Sequence, residues 1–291
     1  MPHREPTIRS RELGEGLRKA MESAGLSGKE TAKMLGVSPS MVSMLLTGKR
    51  GITEVDVAAF LGVCRATGPE RERLLALCRE QDTPGWFQQH GSRMPKQLRT
   101  LIEHENKAVA ISAVEVTGVP GLLQTGEYAR AAISRIVNVP PGEVEDRMAA
   151  RLARQTLFSR ERPAAFTFYL HECALRTPVG GPAVMAEQLH HLVRMSTRSY
   201  VTLRVVPFAL GAHAAMTGAF WLMEFTEFKP VVYLESETSS LFLERPVEIQ
   251  AYRCILAALA DTALSEGQSR ELIAALATRL DPDGEDHDNR A

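Results

Sequence analysis

The side chains able to do chemistry in this sequence do not assemble into a catalytic pattern. Gly25-Leu26-Ser27-Gly28-Lys29 has the outline of a phosphate loop, but the first Gly such a loop needs is missing, and Glu30 stands where a Ser or Thr would hold magnesium. His171-Glu172 lacks the second histidine of a zinc-binding HExxH pair. His190 and His191 are neighbours on a predicted helix, so their rings point about 100° apart, a poor chelating geometry. There is no GxSxG elbow and no Gly-rich dinucleotide fingerprint. The expectation is a protein that is not an enzyme, with no cofactor and no metal.

What remains is the chemistry of recognition. Arg147, Arg151 and Arg154, at spacings of four and three, share one face of a predicted helix, where they either clamp an anionic partner or stay solvated. The stretch 208–218, with Gly211, His213 and Gly218 between two predicted strands, is free to line a pocket. Together with Tyr233 and Glu235 it is the candidate ligand or partner region. A second set lies in the first fifty residues: Lys29, Ser38, Pro39, Ser40, Met41, Ser43, Met44, Lys49 and Arg50 are the candidates for DNA contact.

The elements that must position this second set are short helices over about 11–23, 28–35, 39–47, 54–64 and 70–80, broken by Gly25, Gly36, Gly48 and Gly68-Pro69. Within 28–47, Ala32 supplies the small residue two closely crossing helices need, and Gly36 can take the left-handed turn conformation. Val37, Val42 and Leu45 fall where inward anchors are required, and Ser27 and Ser38 are natural N-caps. This is the pattern of a helix-turn-helix that presents its second helix to a DNA major groove.

From Thr83-Pro84-Gly85 onward, apolar alternating runs appear between helical stretches. Strands are predicted at 109–116, 165–170, 201–206, 220–225 and 231–234, and helices at about 96–106, 126–136, 142–161, 182–197, 246–260 and 266–280. The fold class expected is mixed: an all-α five-helix head over 1–82, then an α/β (α+β) regulatory domain over 83–280. Strand order cannot be read. The acidic stretch 281–291 is nearly free of apolar side chains and is expected to be a disordered tail.

Composition agrees with a regulator. The net charge of −1 speaks against non-specific coating of nucleic acid, yet residues 1–50 carry nine Lys or Arg against five Asp or Glu, leaving the remainder at −5. Cys64, Cys78, Cys173 and Cys254 form no CxxC pair and read as reduced packing residues. No window approaches the roughly 18 apolar residues a membrane helix needs, and Met1–Ser10 has no apolar signal core, so a cytoplasmic protein is expected.

The head resembles the xenobiotic-response-element type of helix-turn-helix regulator, a five-helix unit shared with phage repressors. That resemblance implies that Pro39, Ser40, Ser43 and Met44 approach base edges while Lys49 and Arg50 approach phosphate. Relatives commonly carry Lys or Arg at the positions of Met41 and Met44, Gln at that of Gly28 and Leu at that of Thr31. Without an Arg, a bidentate guanine contact worth roughly 1–3 kcal/mol is lost, although methionine still suits a thymine methyl.

The remainder is similar to actinobacterial WhiJ-like, antitoxin-like regulators. The resemblance rests on Val119-Pro120-Gly121-Leu122-Leu123-Gln124-Thr125-Gly126-Glu127-Tyr128-Ala129-Arg130, on Arg151 with Arg154-Gln155, on Glu172 with Leu175-Arg176, and on Gly180-Gly181 with Gln188-Leu189. Further matches are His191-Leu192, Val206-Pro207-Phe208, Gly211-Ala212-His213, Phe220, and Tyr233 with Glu235. It implies a DNA-binding transcriptional regulator, a homodimer on a double-stranded operator, which often sits beside a gene for a small partner protein. The alternative is an antitoxin-like protein that mainly holds that partner and binds DNA weakly.

Overall fold

The computed structural model describes residues 7–48, 52–79, 86–89, 96–237 and 239–280. Lys49, Arg50 and the tail expected over 281–291 lie outside the described residues. The chain divides into two compact units, one of Met1–Gln88 with Glu227–Val231 and Leu241–Glu248, the other of Gln89–Thr226 with Val232–Ser240 and Ile249–Ala291.

The first unit holds five helices, α1 (Ile8–Ser23), α2 (Gly28–Leu35), α3 (Pro39–Leu46), α4 (Glu54–Val63) and α5 (Gly68–Arg79). Their starts follow from capping: Thr7, Ser27, Ser38 and Thr53 each accept a backbone N–H three residues on. Ser27 with Glu30 and Thr53 with Asp56 complete reciprocal capping boxes. Leu13, Leu17, Ala32, Val42, Leu45, Phe60, Leu61 and Leu74 form one core. Two glycines permit the close crossing of α1 and the end of α3, for a Cβ on Gly14 would lie 2.7 Å from the Leu46 carbonyl oxygen, and one on Gly48 2.6 Å from that of Ser10. Gly48 also has φ +66°, a conformation other residues rarely adopt.

Chain order continues with β1 (Trp86–Gln89), α6 (Lys96–Lys107), β2 (Ala110–Glu115), α7 (Gly126–Ile133), α8 (Val144–Ala153), β3 (Ala165–His171), α9 (Glu172–Arg176) and α10 (Pro182–Met195). Then follow β4 (Val201–Val206), β5 (Phe220–Glu224), β6 (Val231–Glu235), β7 (Ser239–Leu243), α11 (Pro246–Thr262) and α12 (Glu266–Leu280). In the second unit the strands run in the order β6-β5-β2-β3-β4. β2 pairs parallel with β3, and β3 with β4, while β5 runs antiparallel to β2. Parallel neighbours require long crossovers, which the helical segments α7–α8 and α9–α10 supply. The mixed fold class expected from the sequence, a helical head followed by an α/β domain, is what the chain adopts.

The free edge of the sheet at β4 is covered rather than left open. Ser269 Oγ accepts the Val205 N–H at 2.9 Å, and the Val205 carbonyl accepts from Leu264 N at 2.9 Å. Arg204 donates from Nε to the Leu264 carbonyl (2.8 Å), from Nη1 to Ala260 (2.7 Å) and from Nη2 to Ala263 (2.6 Å), which satisfies the carbonyl end of α11 with a cation. Arg204→Met should therefore destabilise the protein by about 2 kcal/mol, read as a lowered urea midpoint. An unchanged midpoint would show that water replaces the guanidinium at no cost.

Candidate functional site

In the first unit the candidate site is the exposed side of α3. Ser38 caps the helix, its Oγ accepting from Met41 N at 3.2 Å, and Pro39 takes the first helical position, where its lacking N–H costs nothing. Val42 and Leu45 are buried, which turns Pro39, Ser40 and Ser43 outward, with Met44 41% exposed and Met41 half-buried. Lys29 is exposed in the first turn of α2. The Ser40 hydroxyl is not free of the fold: its Oγ lies 2.9 Å from Ser38 Oγ, so it backs the capping residue. Thr47 Oγ1 donates to the Ser43 carbonyl at 2.9 Å and closes the helix. Burial therefore sorts Ser40, Ser43 and Met44 onto one accessible stripe beside the turn, made of short polar and apolar side chains. Arg18 was not legible as part of this region, yet its Nη2 donates to the Leu46 carbonyl at the end of α3, 3.4 Å away.

In the second unit the segment 119–128 is a hub of polar contacts. Leu122 and Leu123 are wholly buried, and Thr125 caps α7. Gln124 Nε2 donates to the Val119 carbonyl (2.7 Å), and Gln124 Oε1 accepts from Arg151 Nη1 (2.8 Å). Gln155 Nε2 donates to the Gln124 carbonyl (2.6 Å), while Gln188 accepts the Thr125 N–H and donates to the Leu123 carbonyl, both at 2.7 Å. Tyr128 OH accepts the Val119 N–H at 3.2 Å. Gly121 leaves room for arginine: a Cβ there would lie 3.5 Å from both Arg151 Cδ and Arg154 Nη1.

A cavity of about 390 Å³ opens beside this hub, with Arg147, Arg151, Glu115, Trp221, Tyr233 and Glu235 among the residues lining it. Four of the six ligand candidates read from the sequence thus meet in one place. Arg154 turns away from it to a buried ion pair with Glu105, Nε to Oε2 at 2.9 Å, its guanidinium 5.8 Å from the Trp221 ring centroid. His213 is not among the lining residues; it stacks on His171, ring centroids 5.1 Å apart, and its Nδ1 accepts from Ala215 N. The three arginines do not stand as one solvated face; each is engaged by a partner within the fold. Arg147 is half-buried against Glu143 at 2.9 Å, Arg151 is held by Gln124, and Arg154 is 8% exposed.

The cavity floor is electrostatically unusual. Trp221 Nε1 donates to Glu115 Oε1 at 3.0 Å. Burial pushes the Glu115 carboxyl up to about 7; the Trp221 bond lowers it, the Glu235 charge raises it and Arg151 lowers it. Burial, then the charge of Arg154, pull the Arg151 guanidinium below its ordinary range. Tyr233 is raised by burial and by Glu235. Glu115 and Trp221 escape a reading of pattern alone. The available signals were a carboxylate at the end of an apolar strand run and one of the chain's two tryptophans.

Among the described residues no three His, Cys, Asp or Glu gather where they could hold a metal ion, and no helix is long and apolar enough to cross a membrane. Cys64 and Cys78 are buried and unbridged.

A helix-turn-helix unit joined to a mixed α/β unit with a polar cavity defines the class, and the pattern of a helix-turn-helix domain matches residues 12–74. Over residues 98–275, more than half of its length, the chain belongs to the family described as domain of unknown function (DUF5753). No curated protein matches it. Among solved structures, that of TrmBL2, an archaeal chromatin protein described as showing a novel mode of DNA binding, is similar at 12% identity. The likeness covers 78% of this chain and 72% of that one, with a TM-score of 0.29.

Proposed function

We propose that this protein is a sequence-specific DNA-binding transcriptional regulator of the xenobiotic-response-element type, working in the cytoplasm as a homodimer rather than as an enzyme. Its second unit, WhiJ-like in sequence, answers to a ligand or a small partner protein. The observation that carries the reading is the exposed stripe Pro39, Ser40, Ser43 and Met44 on a helix whose opposite side is anchored by Val42 and Leu45. Lys29, Ser38 and Met41 flank it, and Lys49 and Arg50 follow it in the sequence. One such helix reads only a few base pairs, so two copies on related half-sites are needed for useful affinity. Footprinting upstream of the protein's own gene should show two half-sites one helical turn, or a multiple of it, apart. A single unrepeated half-site, or a monomer at operator-binding concentrations, would overturn this.

A second reading, an antitoxin-like protein that mainly holds a small partner, is favoured by one feature: Met44 and Met34 are 41% and 58% exposed on the head, an apolar surface where a DNA reader usually places cations. Met44→Arg separates the two. On a DNA-reading helix it should tighten operator binding about tenfold. The log–log salt slope should steepen by about one unit if the new guanidinium meets phosphate, or affinity rise only for particular bases if it meets guanine. An unchanged affinity and slope in a folded variant would favour the partner-holding protein.

A further inference from the structure

We propose that the cavity of the second unit binds a small zwitterion, its anionic group on Arg151 and its cationic group on Glu115 and Glu235, with an apolar part against Trp221 and Phe220. The proposal rests on the reading of this unit as ligand-responsive and gives that ligand a chemistry.

Three observations carry it. First, Arg151 faces the cavity with a single neutral partner, Gln124 Oε1, and Glu115 faces it with a single neutral partner, the Trp221 indole; neither forms an ion pair with another described residue. A guanidinium and a buried carboxyl that face one cavity without touching act on each other only through space, so each can still take a direct partner of opposite charge from a ligand. Second, the positions are fixed by the fold rather than by long flexible stems. Arg151 is gripped by Gln124, itself tied to Val119 and Gln155, and runs over the bare backbone of Gly121. Trp221 is 7% and Phe220 2% exposed, so the apolar wall is rigid. Third, the cavity of about 390 Å³ lies at the small end of the range for small-molecule sites, which suits a molecule of amino-acid size rather than a peptide or a nucleotide.

The charges around it set the polarity. Arg147 is already answered by Glu143 at 2.9 Å, which leaves Arg151 as the anion's partner. Glu235 is exposed at the rim and adds to the field at Glu115, so the carboxylate side attracts a cation. The Glu115 carboxyl, held up at about 7 by burial, would ionise fully beside an ammonium, and binding should release a proton near neutral pH.

The test uses the full-length protein and three probes of one skeleton: L-phenylalanine, 3-phenylpropionate, which lacks the ammonium, and phenethylamine, which lacks the carboxylate. Calorimetry should show the zwitterion binding at least tenfold tighter than either single-charge probe. Arg151→Gln should abolish its advantage over the amine, and Glu115→Gln its advantage over the acid. Arg151→Lys, which keeps the charge, should restore part of the preference and guards against a merely structural loss at Arg151. Equal affinities for the three probes, or no binding by any of them at millimolar concentration, overturns the zwitterion. A zwitterion that binds as expected but leaves operator affinity unchanged would instead sink the ligand-responsive reading while the site stands.

Discussion

Replacing Arg154 by Met should cost the protein about 3–5 kcal/mol, more than any exposed charge change in the chain. Arg154 and Glu105 are 8% and 1% exposed as side chains and meet through two N–H groups, Nε at 2.9 Å and Nη2 at 2.5 Å. Burial alone would lower the Arg154 guanidinium, but the charge and hydrogen bond of Glu105 outweigh it and raise it. The methionine variant keeps most of the stem and its packing under Trp221, yet leaves the Glu105 carboxylate buried with its principal cation gone. The large cost is therefore that of an orphaned charge, not the net worth of the pair. A double variant, Glu105→Leu with Arg154→Met, should recover most of the loss, because desolvation of both ions disappears together. Urea denaturation of the full-length protein measures all three. A single variant within about 1 kcal/mol of the parent would show that water reaches Glu105.

The head was legible in the sequence because its signals are local. Ser27, Ser38 and Gly36 act within three or four residues of themselves, and cap or terminate the helices where their types say they should. The strands β2 to β6 were legible as apolar runs, but β1 and β7 (Ser239–Leu243) were not: Ser239-Ser240 opens the latter with hydroxyls, which weakens its strand pattern. Helix α9, only five residues long, carries no periodicity to detect. Strand order was out of reach, since β5 inserts between β2 and β6 through pairing that no local pattern encodes. The arginine triplet shows the limit most clearly. Spacing put Arg147, Arg151 and Arg154 on one face, but the chain passes into a 3-10 segment at Arg154, which sends that side chain to Glu105 while its neighbours reach the cavity. The partners of Arg154 and Arg151, Glu105 and Gln124, come from distant segments, and only Glu143, four residues before Arg147, is local.

The contribution of Glu115 to the stability of the protein should fall as pH rises from about 4.5 to about 7. Its carboxyl titrates near the ordinary 4.5 in the unfolded chain and at about 7 in the fold, so between those values the folded state holds a proton the unfolded state has lost. Sign follows directly: more protons bound when folded means that raising pH favours unfolding, and the penalty is complete above about pH 7. A shift from 4.5 to about 7 sets an upper limit of about 3 kcal/mol, reduced to the extent that Glu115 still reaches solvent through the cavity. The groups facing it are Trp221 on β5, Glu235 on β6, Arg151 on α8 and Tyr128 on α7; the Glu235 charge adds to the rise at Glu115, while the Trp221 bond and Arg151 oppose it. His171 and His191, both lowered by burial, contribute with the opposite sign, so the wild-type curve alone is not diagnostic. The comparison with Glu115→Gln is. The amide can still accept from the Trp221 indole but cannot ionise, so the variant should match the parent near pH 4.5 and exceed it by up to about 3 kcal/mol at pH 8. Parallel stability curves for the two proteins from pH 4.5 to 8 would show that the Glu115 carboxylate is as well solvated in the fold as in the unfolded chain.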